Sequence, residues 1–79
     1  MNNKQKYDQV FISSFSIDES VLNENLEYNT IPDWDSIGHM ELIAELEEVF
    51  DIMMEMDDII DFSSYKKGFE LLEKYNVEF

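Results

Sequence analysis

In the stretch Asp33-Trp34-Asp35-Ser36-Ile37-Gly38-His39, a lone hydroxyl follows two carboxylates just before an acidic run with apolar periodicity. If that run is a helix, Ser36 falls at its free first-turn amides and at the positive end of its dipole. A serine placed there has two uses. Its oxygen can cap the helix, or it can be esterified to an anion that the helix N-terminus stabilises. His39, the sole histidine, lies one turn further on, but no acid follows at a spacing that marks a serine-activating triad, so it reads as a surface or loop-packing residue. Asp33, Asp35 and Gly38 match positions 1, 3 and 6 of a calcium-binding EF-hand loop, whereas Ile37 at position 5 and Ala44 at position 12, where a bidentate glutamate is needed, break the pattern. The chain has no cysteine, so a thiol nucleophile, a thiolate metal site and a disulfide framework are all excluded.

The elements that must position Ser36 follow from periodicity. Tyr7, Phe11 and Phe15 recur every fourth residue with Val10 beside them, which predicts a first helix capped by Asn2 or Asn3. From Ser16 to Asp35 the periodicity fades into a long connection whose apolar residues lie on the core, with a short helical turn near Glu19 to Leu22. Residues 36 to 50 form the central helix, its buried stripe made of Leu42, Leu46, Val49 and Phe50. A short third helix fits in Met-Glu-Met-Asp-Asp-Ile-Ile-Asp-Phe after a break at Asp51. Tyr65, Phe69, Leu71, Leu72 and Tyr75 predict a last helix of about three turns. Strand-like alternation is absent. The expected fold is all-α, a small four-helix bundle of three longer helices and one short one, with a long loop between the first and second, forming a single domain over residues 1–79.

Nineteen acids against five lysines give a formal charge of −14, which repels nucleic-acid phosphates and anionic membranes and favours partners with basic patches. The hydrophobic fraction of 44% and eleven aromatic residues nevertheless suffice for a packed core. The N-terminal residues lack the apolar run of a signal peptide, and no stretch is long and apolar enough for a membrane span. This predicts a cytoplasmic monomer without membrane insertion. On the central helix Glu41, Glu45 and Glu48 form an acidic strip, flanked by an apolar group of Ile37, Met40 and Ala44. A small apolar centre with an acidic rim suits a partner carrying a basic rim. Met53, Met54 and Met56 are core filling or the lining of an adaptable pocket; Trp34 clamps the loop or shields whatever Ser36 carries.

Asp-Ser-Ile-Gly-His-Met-Glu-Leu followed by Glu-Leu-Glu-Glu-Val-Phe-Asp-Ile resembles the acyl and peptidyl carrier proteins. Counted from Ser36, the Glu41-Leu42 pair, Leu46-Glu47-Glu48, Phe50-Asp51, the third-helix region and Ser63-Ser64 all fall at carrier-protein spacing. The resemblance implies that Asp35-Ser36-Ile37 is an attachment motif, with 4′-phosphopantetheine from coenzyme A carried on Ser36 and Gly38 leaving room beside the arm. It also implies that Ile37, Met40, Glu41, Ala44, Glu45 and Glu48 form the face read by partners. Those partners would be a phosphopantetheinyl transferase, an acyl- or aminoacyl-loading ligase, and an acyltransferase or condensing enzyme. Such a carrier is not itself an enzyme. The Trp34-Asp35-Ser36 and Gly38-His39-Met40 context is similar to stand-alone carriers of specialised pathways rather than those of fatty acid synthesis. Two readings from other classes stay open: an acidic helical interaction module without a prosthetic group, and the EF-hand-like calcium module.

Overall fold

Asn2 starts the chain's first helix by a reciprocal pair of bonds: its Oδ1 accepts from the Gln5 amide at 2.8 Å, and Gln5 Oε1 accepts from the Asn2 amide at 3.0 Å. The computed structural model describes residues 2–79. Four helices follow one another, α1 (Asn3–Phe15), α2 (Ser36–Phe50), α3 (Met56–Asp61) and α4 (Tyr65–Glu73), with a 3₁₀ turn at Glu19–Val21 in the long first connection. The protein is all-helical, as the periodicity predicts. No helix among the described residues is long and apolar enough to cross a membrane.

The core is an aromatic column. Tyr7, Phe11 and Phe15 from α1 meet Trp34 of the loop, Phe62 after α3 and Tyr65 of α4, all buried. Phe11 lies edge-on to Trp34 at 5.6 Å and to Tyr65 at 5.3 Å, while Phe15 stacks on Trp34 at 5.3 Å. Gly68 lets α4 approach this column closely, because a Cβ there would come within 2.0 Å of Tyr7 Oη and 2.4 Å of Phe62 Cζ. The long connection lies on the core as expected, with Leu26 buried and Ile17, Val21, Leu22 and Ile31 packed against it. Its far half is pinned to the start of α4, where Ser63 O accepts from Tyr28 N and Leu26 O accepts from Tyr65 N, each at 2.9 Å.

Two expectations need correction. On α2, Leu42 and Leu46 are buried, but Val49 is 36% exposed and Ile43 takes its place at 1%. Val49 edges an open crevice against α1, whereas Ile43 faces the covered side of the helix. The last helix ends at Glu73 rather than Tyr75, because Asn76 turns left-handed at φ 66° and the Val77 amide bonds back to Leu72 O.

Tyr75, left beyond the helix, has another task. With Lys74 it grips Asp58 of α3: Lys74 Nζ donates at 2.7 Å and Tyr75 Oη donates to the second oxygen, while Tyr75 Oη accepts from the Glu55 amide. The Asp58 side chain is only 7% exposed. The hydrogen bond from Lys74, then that from Tyr75, hold its carboxyl below the ordinary carboxylate range, and the same bond raises Lys74. A depressed carboxylate contributes stability above its unfolded value, near pH 4, that is lost as pH falls through the folded one. Asp58→Asn should therefore lower Tm at neutral pH, and the gap from wild type should close on acidification below about pH 4. Thermal melts of both proteins across that range check this; a constant gap contradicts it.

Candidate functional site

The loop reaches Ser36 through a left-handed residue, Asn29 at φ 69°, whose amide donates to Trp34 O at 2.9 Å. Asp35 is extended, at φ −105° and ψ −167°, and its Oδ1 accepts from the Gly38 amide at 2.8 Å. The helical ladder begins with the His39 amide bonding to Asp35 O at 2.8 Å. Asp35 is therefore the cap and Ser36 the first residue inside the helix. That overturns the capping use expected of Ser36, and it leaves the exposed Ser36 hydroxyl with no capping duty. The amides of Ser36 and Ile37 precede the ladder and are left over by the Asp35 cap, the kind of free first-turn amides that favour an anion.

Gly38 does not leave room for an arm. It is buried, and a Cβ on it would stand 1.8 Å from the carbonyl oxygen of Asp33, so the space is filled by the loop's own backbone. The absent side chain lets the loop close over the first turn of α2, which brings Asp35 into capping position.

Trp34 clamps the loop. It is fully buried, and its Nε1–H donates to His39 Nδ1 at 2.9 Å. His39, predicted as a surface or loop-packing residue, proves half-buried and doubly bonded, with Nε2 2.8 Å from Ile59 O of α3.

Beside Ser36 runs an apolar groove of about 360 Å³ between α2 and α3, lined by Tyr28, Ser36, His39, Met40, Met56, Ile59, Ile60, Phe62 and Ser63. A second hollow of about 370 Å³, lined by the neighbours of Ser36 rather than by Ser36 itself, carries Asp33, Asp35 and Glu41 with Ser14, Ser16, Ile37 and Gly38. No lysine lines either one. Among the described residues, no three or more histidine or acidic side chains are grouped to hold a metal ion.

The predicted partner face is divided. Ile37 at 71% and Met40 at 56% are exposed, as are Ala44, Glu41 and Glu48. Glu45 is half-buried and lines the crevice between α1 and α2 that Lys6 also lines. The apolar surface continues instead across the groove, onto Met56 at 70% and Ile60 at 69% of α3. Their four-residue spacing in a short helix that also carries Asp57, Asp58 and Asp61 is the signal that could have found them. The three methionines part company: Met54 is core, Met56 lines the groove, and Met53 is 85% exposed away from both. No family model, no curated protein and no solved structure matches the chain.

Proposed function

We propose that this protein is a carrier that tethers acyl or aminoacyl intermediates as thioesters on a 4′-phosphopantetheine arm at Ser36 and presents them to partner enzymes. The observation that supports it most is the exposed Ser36 hydroxyl, relieved of capping by Asp35, at the start of a fifteen-residue helix and at the mouth of an apolar groove. The residues present fit such an arm. The first-turn amides of Ser36 and Ile37 favour a phosphodiester, and Met40, Met56 and Ile60 offer an apolar bed beside it. When attached, the arm supplies a thiol for the thioester and the reach to visit several active sites. The protein supplies the anchor, a rigid helix start and a surface to be recognised. In this reading a phosphopantetheinyl transferase installs the arm, a dedicated acyl- or aminoacyl-loading ligase charges it, and an acyltransferase or condensing enzyme of a specialised, cytoplasmic pathway takes the cargo.

The test is the intact mass after incubation with coenzyme A, magnesium and a promiscuous transferase. A gain of one arm is expected. An unchanged mass would leave the acidic interaction module as the better account, since the apolar surface of Ile37, Met40, Met56 and Ile60 flanked by Glu41 and Glu48 needs no arm to engage a basic partner.

The exposed pair Glu41 and Glu48 should steer that encounter. Reversing both to lysine is expected to lower kcat/KM for arm transfer about tenfold at low salt, with the effect shrinking as salt rises, because rim charges act on the association rate. Rates indifferent to the reversal and to salt would make the strip a solvated face.

A further inference from the structure

We propose that His39 is the positioning residue that holds α3 against α2 and so sets the width of the groove beside Ser36. A six-residue helix such as α3 does not persist on its own, because helix nucleation is costly and short segments do not recover it. Its place must come from tertiary anchors. The grip of Lys74 and Tyr75 on Asp58 ties α3 to the C-terminal segment, away from α2. The bond of His39 to Ile59 O is the hydrogen bond that crosses from α2 to α3 within the groove lining itself, and Ile59 O is one of the last four carbonyls of α3, which its own ladder leaves unpaired.

The chemistry of the partners fixes the state of the ring. Trp34 Nε1 can only donate and Ile59 O can only accept, so Nδ1 carries the lone pair and Nε2 the proton. The ring is also held by its faces and edges. It lies nearly parallel to Trp34 at 15° and 6.2 Å, with Tyr28 edge-on at 5.6 Å and Phe62 at 6.2 Å. Trp34 in turn stacks on Phe15. A continuous chain of contacts thus runs from α1 through Trp34 and His39 to α3, and it passes one turn from Ser36. His39 touches neither an arm nor a cargo in this role; it acts through α3.

The inference rests on the carrier reading only for what the groove would hold, so its test uses the unmodified protein. The ring nitrogen-15 shifts of wild-type His39 should show the Nε2–H tautomer; an Nδ1–H tautomer or an even mixture would overturn the proposal, whatever any variant does. His39→Leu removes both bonds. Amide exchange of α3 should then quicken at least tenfold relative to α1 and α4, and binding of the neutral apolar dye Nile red in the groove should change by a comparable factor. His39→Gln offers an amide oxygen for Trp34 and an amide N–H for Ile59 O, so it should restore most of both readouts. Wild-type exchange and dye binding in His39→Leu would overturn the proposal, as would a Gln variant that melts like wild type yet behaves like the Leu variant. Failure of arm transfer in the mass test would leave these readouts untouched.

Discussion

Ser36→Ala should keep its unmodified mass under conditions where the wild type gains one phosphopantetheine arm, and it should melt at nearly the wild-type temperature. The loss is expected to be complete because no second hydroxyl shares the position. Ser64 is spent as the cap of α4, its Oγ accepting from the Lys67 amide at 2.9 Å, and Ser63, though it lines the same groove, precedes that cap. Ser63→Ala is therefore the control that should still be modified. Stability should change by less than about 0.5 kcal/mol, since Ser36 is exposed, caps nothing, and is replaced by a better helix former. Asp35→Ala makes the contrast. Removing the cap that holds the Gly38 amide should cost about 1 kcal/mol, a fall in Tm of roughly 4–8 °C for a domain of this size, with the hydroxyl still in place. Arm transfer to Ser36→Ala, or none to the wild type, would end the carrier reading.

Much of the architecture was legible because it rests on local patterns. The spacing of Tyr7, Phe11 and Phe15 gives α1 and its buried face, and the run from Ser36 to Phe50 gives α2 with its observed bounds. What was not legible depends on which of two equal candidates the tertiary fold selects. Asp35 and Ser36 are adjacent and both cap well, so only the extended backbone of Asp35 decides between them. Val49 and Ile43 flank Leu46 on α2 at equal angles, so which one is buried depends on what covers each side. Pairings distant in sequence, His39 with Ile59 and Asp58 with Lys74 and Tyr75, leave no periodic trace at all. Because they place α3, the groove itself was invisible in the sequence, although Met40, Met56 and Ile60 could each be named as apolar.

Gly38→Ala should destabilise the domain by about 2 kcal/mol and slow arm transfer to an otherwise intact Ser36. Alanine in a helix is ordinarily favourable by roughly 1 kcal/mol over glycine, so the local preference runs the other way and the sign is set by the clash. The new methyl would meet the Asp33 carbonyl oxygen at 1.8 Å, and that atom belongs to backbone, which cannot rotate aside as a flexible side chain would. Forcing an extra carbon into a packed site costs about 1–3 kcal/mol. Retreat of the loop also endangers the Asp35 cap, about 1 kcal/mol more, and strains the Trp34 bond to His39, which brackets that cap in sequence. The sum less the helix gain is about 2 kcal/mol, or a fall in Tm of about 10 °C. The slower transfer follows from geometry rather than from unfolding, because the loop that sets the direction of the first turn of α2 is the one displaced. It should therefore persist at temperatures where the variant is still fully folded. Calorimetry alongside transfer kinetics at low temperature separates the two effects. A Gly38→Ala protein as stable as wild type would show that Asp33 yields freely, and normal transfer with lowered Tm would show that Ser36 is presented by the helix alone.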